Sequence, residues 1–199
     1  MTAPGHVVVL NGAPRSGKSS IAAAIQETFD GAWVNLGVDV ARVTTPPRLQ
    51  PGIGLRPAEA DHPAAPFVPT LYAALYESVA AHARLGLDVV VDVGHHDGGV
   101  LADCARRLDG LRVLFVGVRC PLETIMARRD ASPPGSYATS SPDEPVPEPV
   151  RRWEAVHVPG VYDLEVDTSV LTPEECAAAI RLRLDDPEPP TAFRRLAAG

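Results

Sequence analysis

The sequence predicts an α/β protein whose parallel sheet carries helices on both faces. Short valine-rich apolar runs alternate with stretches of helical periodicity along most of the 199 residues, and this alternation is typical of parallel strands joined by helical crossovers. The runs contain few polar residues, as do strands buried on both faces. We therefore expect one domain over residues 1–185, long enough to bury a substantial core, and a flexible tail at 186–199.

The first strand and helix flank a glycine-rich loop. The valine run 7–10 predicts the strand, and the alanine-rich stretch 17–28 favours a helix directly after the loop. A second strand is expected at 32–36, and it ends in the motif Gly37-Val38-Asp39. A proline-rich stretch follows, so we expect irregular structure from this motif onward.

A helix and a buried strand come after that proline-rich stretch. Leu71, Leu75 and Val79 form one apolar stripe of a helix that begins near Thr70 and stops at Gly86. Three valines in the run 89–93 predict a strand buried on both faces. The later elements, in chain order, are a helix at 100–108, a strand at 111–118, a helix at 122–129, a short helix at 151–156, a strand at 162–166 and a helix at 173–184. The last helix has a capping box at Thr172 with proline at its first position, which fixes where it begins.

Prolines concentrate in two segments, 46–69 and 133–149. Neither segment can form a regular helix or a central strand, because proline lacks the amide donor and fixes φ. Long loops inside a compact domain usually have a function. We expect the first to form an acceptor cap at about 44–69 and the second a lid at about 128–155 that closes over substrate.

The glycine-rich loop has the pattern Gly-x-x-x-x-Gly-Lys-Ser between a strand and a helix. Its glycines allow main-chain N–H groups to form a cradle for an anion, and the helix N-terminus adds its positive dipole end. Lys18 can reach the β- and γ-phosphates, and the Ser19 hydroxyl can bind Mg²⁺. The pattern predicts a site for ATP and Mg²⁺. The residues expected to contact the nucleotide here are Gly12, Ala13, Pro14, Arg15, Ser16, Gly17, Lys18, Ser19 and Ser20.

Two acids follow expected strands close to this loop. Phosphoryl transfer to an alcohol uses one carboxylate to orient or deprotonate the hydroxyl, and often another to hold Mg²⁺. Asp92 follows three valines and suits the metal together with Ser19, whereas Asp39 opens the acceptor cap and suits the base. The two roles could be exchanged. A helix N-cap or a strand-end hydrogen bond is the alternative for each acid.

Arg128 and the triplet His95-His96-Asp97 are further candidates. Negative charge spreads over a transferring phosphoryl group, so a cation at the border of the lid, such as Arg128, suits its stabilisation. A solvated charge cluster is the alternative. The histidine triplet could contact the acceptor, hold a metal or form a plain loop, and no third ligand has helical spacing to the two histidines.

Composition excludes several classes of function. The net charge is −7 and no basic stripe with interleaved aromatic residues occurs, so we expect no nucleic-acid partner. No apolar run approaches the length of a membrane span, and the first strand begins too early for a signal peptide, so we expect a cytoplasmic protein without a membrane partner. Three distant cysteines are expected to be reduced, mostly buried thiols. The oligomeric state, a homo-oligomer included, stays open.

Several motifs occur together in one order along the chain. They are Leu10-Asn11-Gly12 with Ser16-Gly17-Lys18-Ser19, Gly37-Val38-Asp39, Val89 to Asp92, Val116-Gly117-Val118-Arg119-Cys120, Arg128, Val156-His157 and the stretch Tyr162 to Thr168. In these motifs the chain resembles the chloramphenicol phosphotransferase group of P-loop kinases. The resemblance implies a nucleotide-kinase-like fold with sheet order 2-3-1-4-5 and a mobile lid. It also implies that Asp39 is the base and that Asp167 and Thr168 border the adenine pocket.

The chain differs from that group where the acceptor is expected to bind. It has Val93 in place of a second acid, and His95-His96-Asp97 in place of an apolar, glycine-containing stretch. The resemblance implies an ATP-dependent O-phosphotransferase acting on a small antibiotic and conferring resistance. The acceptor is expected to be chloramphenicol-like or, given the added polar residues, nucleoside- or sugar-bearing as in capuramycin. A shikimate- or gluconate-type metabolite kinase and a non-catalytic nucleotide-binding switch are the alternatives.

Overall fold

The computed structural model describes residues 3–50, 62–131, 153–158 and 160–199. Most of the expected lid and part of the expected acceptor cap lie outside these residues. No helix within the described ranges is both long and apolar enough to cross a membrane.

A five-stranded parallel sheet forms the centre of the molecule. Its strands are β1 (Val7–Gly12), β2 (Trp33–Asn35), β3 (Asp88–Val93), β4 (Val113–Arg119) and β5 (Leu164–Asp167). They lie in the order β2-β3-β1-β4-β5, which confirms the predicted fold and strand order. All neighbouring pairs are parallel, and Leu10 of β1 pairs with Asp92 of β3 and Val116 of β4. The carboxyl ends of the strands therefore meet at one edge of the sheet, where ligands bind in such folds.

Helices cover both faces of the sheet. They are α1 (Lys18–Thr28), α2 (Val38–Thr44), α3 (Val68–Arg84), α4 (Gly98–Arg107), α5 (Leu122–Asp130), α6 (Pro173–Asp185) and α7 (Ala192–Ala198). Short 3-10 helices form at Pro47–Leu49, Ala65–Phe67 and Trp153–His157. Because side chains alternate along a strand, Val7 and Val9 pack with α3, α4 and α7, whereas Val8 and Leu10 pack with α1 and α6. All three cysteines are buried free thiols, as expected.

Helix α2 was not predicted, because the prolines that follow it dominated the interpretation of this stretch. The first proline of the segment is Pro46, so residues 38–44 can form a helix. Asp39 lies in its first turn and Arg42 in its last, and both charges favour the helix macrodipole. The expectation of irregular structure directly after Asp39 is therefore wrong.

The C-terminal tail differs from the expected flexible segment. Residues 192–198 form α7, which packs against α4 and β4. The Phe193 ring contacts Phe115 edge-on at 5.0 Å between centroids. The N–H groups of Thr191 and Ala192 both donate to Asp163 Oδ1, at 2.7 and 2.9 Å. Phe193, Leu196 and Ala197 have helical spacing and pack in the same core, but the prolines just before them dominated the interpretation of the tail.

Candidate active site

The phosphate loop connects β1 to α1 at the carboxyl edge of the sheet. It adopts left-handed backbone angles at two residues, Gly17 with φ 95° and Arg15 with φ 65°. The Ser16 N–H donates to the Ala13 carbonyl at 3.2 Å, which closes the turn. Helix α1 begins at Lys18, so its N-terminus faces the loop, as an anion site requires.

Lys18, Ser19 and Asp92 come together at the mouth of the loop. The Ser19 hydroxyl donates to Asp92 Oδ2 at 2.5 Å, and the Lys18 ammonium lies 3.6 Å from Asp92 Oδ1. Lys18 Nζ also donates to the Ala13 carbonyl at 2.7 Å. A hydroxyl and a carboxylate are hard oxygen ligands of the kind that Mg²⁺ prefers, so this pair fits the ion that the sequence predicts.

A cavity of about 390 Å³ opens beside the loop. It is lined by Arg15, Gly17, Lys18, Ser19, Ser20, Ile21, Arg128, Thr168, Leu171 and Pro173. The lining is cationic and polar near Lys18, and it becomes apolar toward Leu171 and Pro173. That distribution suits a ligand with an anionic end and a flat apolar end.

Arg128 forms part of the wall of this cavity. From α5 its guanidinium donates to the Thr168 carbonyl at 2.7 Å, to Thr168 Oγ1 at 3.0 Å and to the Arg15 carbonyl at 3.3 Å. The Thr168 hydroxyl in turn donates to the Ser16 carbonyl at 2.7 Å. The structure thus places Arg128 and Thr168 directly against the phosphate loop. The role of Arg128 in steadying the transferring group stays a prediction.

The neighbouring residue Asp167, also predicted to border the nucleotide, ends β5. Its Oδ1 accepts from the Ser169 N–H at 2.8 Å and from the Ser169 hydroxyl at 2.7 Å. These bonds shape the turn that carries Thr168 to the phosphate loop.

Asp39 lies on a different side of the loop. Its side chain is 76% exposed, and within the described part of the chain its ion pair is with Arg42, at 3.9 Å. The helix that carries it starts beside β3, because a Cβ on Gly37 would lie 3.1 Å from the Asp92 Cβ. Asp39 follows Gly37 by two residues, but its side chain is turned to solvent, and the structure does not bring it into contact with Lys18, Ser19 or Asp92.

A buried hydrogen-bond network beside the phosphate loop was not predicted from the sequence. Asn11, fully buried at the end of β1, accepts from the His95 N–H at 2.8 Å and donates to the Val156 carbonyl at 2.7 Å and to the Tyr162 hydroxyl at 2.9 Å. The signal was present, because a carboxamide interrupts an otherwise apolar strand. The network joins β1, the segment after β3 and the 3-10 helix at Trp153–His157.

Two histidines of this region are buried and neutral. Burial lowers the pKa of His95 to about 3, and Tyr76 contacts its Nε2 at 2.8 Å. Burial also lowers the pKa of His157 to about 4. Asp97 caps α4 by accepting from the Gly99 and Val100 N–H groups. Of the alternatives for the triplet, the structure favours a structural loop for His95 and Asp97, and no metal cluster of three or more His, Cys, Asp or Glu side chains occurs among the described residues.

Comparison with known proteins gives the family. The model of the family "chloramphenicol phosphotransferase-like protein" matches residues 5–185. The chain belongs to this family. It is an enzyme of the kinase type that transfers a phosphoryl group to a hydroxyl.

One relative of this chloramphenicol phosphotransferase-like protein comes from Mycobacterium tuberculosis strain H37Rv and is named as a candidate O-phosphotransferase. It is 27% identical over 210 residues, which cover 96% of this chain and 88% of the relative.

Solved structures share the fold at lower identity. The APS kinase of M. tuberculosis, in complex with AMPPNP and APS, has a TM-score of 0.62 and 18% identity, with 92% of this chain and 99% of that chain covered. The Deinococcus radiodurans tunicamycin resistance protein has a TM-score of 0.58 and 17% identity, with 91% and 96% covered.

Proposed function

We propose that this enzyme transfers the terminal phosphoryl group of ATP to a hydroxyl of a small-molecule antibiotic and so confers resistance. The observation that carries the proposal is the cluster of Lys18, Ser19 and Asp92, of which Lys18 and Ser19 line the 390 Å³ cavity. A cation, a hydroxyl and a carboxylate within hydrogen-bond or ion-pair distance are what a triphosphate with its metal ion requires.

The cavity suggests how ATP lies. We place the phosphates on the loop amides and Lys18, and the adenine toward Leu171 and Pro173. The Arg128 guanidinium, which lies against the loop at the Arg15 carbonyl, would steady the charge on the transferring group. Ser19 and Asp92 would hold Mg²⁺, which neutralises charge on the phosphates when it is bound.

Asp39 is our candidate for the base. The base must meet an acceptor that arrives from solvent, and the exposed Asp39 carboxylate lies on a helix that starts beside Asp92. It would orient the acceptor hydroxyl and take its proton as the oxygen bonds to phosphorus. Closure of the acceptor cap would bring it to that position.

The family and one structural neighbour support an antibiotic as the acceptor. The family description names chloramphenicol, and a structural neighbour is a tunicamycin resistance protein. We therefore propose a chloramphenicol-like or a nucleoside- or sugar-bearing antibiotic, of which capuramycin is an example. Resistance then results from the phosphate, which adds charge and bulk to the drug.

The test is a mass measurement. Purified enzyme is incubated with Mg-ATP and a panel of hydroxyl-bearing antibiotics, and each product is examined for the gain of one phosphoryl group. Shikimate and gluconate belong in the same panel. Phosphorylation of a metabolite alone would contradict the antibiotic proposal, and slow ATP hydrolysis without any phosphorylated product would favour a nucleotide-binding switch.

A substitution at Asp39 tests whether this residue is the base. We expect Asp39→Asn to lower turnover by about 10²-fold or more, because a positioned general base contributes a factor of this size, while ATP affinity stays unchanged. Asp30→Asn, an acid between α1 and β2, is the matched control. An active Asp39→Asn enzyme would remove Asp39 from the base role.

A further inference from the structure

The carbonyl groups of the phosphate loop need donors of their own. In a trans peptide the C=O points away from the N–H, so a loop peptide that turns its N–H toward an anion turns its carbonyl away from the anion. A buried carbonyl without a hydrogen-bond donor is costly. Two side chains outside the loop meet this need. The Thr168 hydroxyl donates to the Ser16 carbonyl at 2.7 Å, and the Arg128 guanidinium donates to the Arg15 carbonyl at 3.3 Å.

The orientation of the Thr168 hydroxyl is fixed by Arg128 and by the nearer of two backbone carbonyls. Arg128 Nη1 lies 3.0 Å from Thr168 Oγ1. A guanidinium has no acceptor, so the threonine oxygen accepts from Arg128. Its own proton is then directed to the Ser16 carbonyl at 2.7 Å, because the Arg119 carbonyl lies farther away, at 3.5 Å. One hydroxyl thus connects the phosphate loop to Arg128, where the expected lid begins.

Thr168 is itself firmly held, and the loop beside it is strained. Its N–H donates to the Arg119 carbonyl at 3.1 Å and its carbonyl accepts from Arg128 at 2.7 Å. A Cβ on Gly17 would lie 3.2 Å from Thr168 Cγ2, so the side chain packs directly against the loop. Arg15 keeps φ 65° without being glycine, and such a conformation persists only where the surroundings enforce it.

We propose that Thr168 is a positioning residue for the phosphate cradle. Its hydroxyl holds the peptide between Ser16 and Gly17 in the orientation that presents the Gly17 N–H to the β- and γ-phosphates. This role differs from the adenine contact that the family resemblance implies for Thr168. The proposal rests on the proposed function for its ligand, ATP, and it assigns Thr168 to the phosphate end of that ligand.

The test compares ATP with a ligand that has no base. Affinities for Mg-ATP and for inorganic tripolyphosphate with Mg²⁺ are measured by calorimetry on the full chain. We expect Thr168→Val to weaken both ligands by a similar factor of about tenfold, which corresponds to one lost hydrogen bond to a buried group. We expect Thr168→Ser, which keeps the hydroxyl, to restore both affinities. Thr28→Val is the matched control, because the Thr28 hydroxyl donates to the Ala24 carbonyl at the end of α1 that lies away from the loop.

Two results would overturn the proposal. Weaker ATP binding with unchanged tripolyphosphate binding would assign Thr168 to the base, and unchanged affinity for both ligands would show that the hydroxyl does not position the loop. If the valine variant does not fold, Thr168→Ala removes the same hydroxyl without added bulk and gives the same comparison. A chain that binds ATP but phosphorylates no hydroxyl compound would contradict the proposed function and leave this result intact, because only binding is measured.

Discussion

Asp92 illustrates how one side chain connects two parts of the site. It ends β3, yet both of its carboxylate oxygens face groups of α1, with Ser19 at 2.5 Å and Lys18 at 3.6 Å. The pairing of Leu10 with Asp92 across β1 and β3 sets this position. The sheet register therefore places the carboxylate where our proposal needs a ligand for Mg²⁺.

We expect Asp92→Asn to lower turnover by about 10²-fold and to reduce the dependence of ATP affinity on Mg²⁺. The reason is that a neutral amide is a much weaker ligand for a hard cation, and metal stabilisation of the phosphates amounts to several kcal/mol. Calorimetric titration of ATP with and without Mg²⁺ measures this. Asp88→Asn, at the other end of β3 where its carboxylate meets His6, is the control. Equal Mg²⁺ dependence in both variants would contradict the metal assignment.

Asn11 is a second single residue with a large expected effect, in this case on the free energy of unfolding. Asn11→Ala leaves the His95 N–H without its partner inside the core, and the Val156 carbonyl keeps only the Tyr162 hydroxyl, at 3.3 Å. An unpaired buried group costs about 1–3 kcal/mol, and the lost bonds to Val156 and Tyr162 add about 0.5–1.5 kcal/mol each, so we expect the free energy of unfolding to fall by about 2–6 kcal/mol. Urea denaturation measures this loss. Asn35→Ala, which removes one half-buried bond to the Gly37 N–H, is expected to cost under about 1.5 kcal/mol. Similar losses for the two variants would show that the network is unimportant.

At the scale of elements, α7 shows what a single aromatic anchor does. Phe193 is 4% exposed and packs against Phe115 and Tyr76. We expect Phe193→Ala to lower the free energy of unfolding by about 3–5 kcal/mol, as for other buried aromatic truncations. Leu182→Ala, on an exposed face of α6, is expected to change it by less than about 0.5 kcal/mol. Urea denaturation of both variants compares them, and a small loss for Phe193→Ala would mean that α7 contributes little.

The elements that could be predicted from the sequence are those whose apolar residues recur at regular spacing. The valine run of β1 and the apolar stripe of α3 are repeated signals, and both were found. Helices α2 and α7 have seven residues each, about two turns, so their apolar spacing repeats too few times to outweigh the prolines beside them. At the site, the loop motif located Lys18 and Ser19, and the strand end located Asp92. The Thr168 bridge and the Asn11 network depend on residues far apart in sequence, which only tertiary structure brings together.

At the scale of the whole molecule, the order β2-β3-β1-β4-β5 explains where the site lies. Strand β1 is central, so its loop has β3 on one side and β4 and β5 on the other. Asp92 reaches the loop from one side and Thr168 from the other. The 3-10 helix at Trp153–His157 is bonded under β1 through Asn11. The residues of the candidate site are thus held in place by contacts among neighbouring strands and the segments that follow them.

Two buried histidines make the free energy of unfolding depend on pH. Burial lowers the pKa of His95 to about 3, against a smaller opposite effect of Asp97. Burial lowers the pKa of His157 to about 4, where Arg119 and Lys18 add to the effect and Glu165 opposes it. Both histidines return to a pKa near 6.5 on unfolding, so between about pH 6.5 and 4 the unfolded chain binds more protons than the folded one. The stabilisation is complete above pH 6.5 and is lost as the pH falls.

We therefore expect the free energy of unfolding to fall between pH 6.5 and 4 by up to about 1.4 kcal/mol per pH unit for each histidine. Urea denaturation across this range measures the slope. In His157→Asn the amide can replace Nδ1 in the bond to Tyr162, and it does not titrate, so its slope should be smaller than that of the unmodified chain. His95→Gln should act similarly, because its amide can replace Nε2 beside Tyr76. If neither substitution reduces the slope, the two histidines do not cause the loss of stability at low pH, and carboxylates must cause it instead.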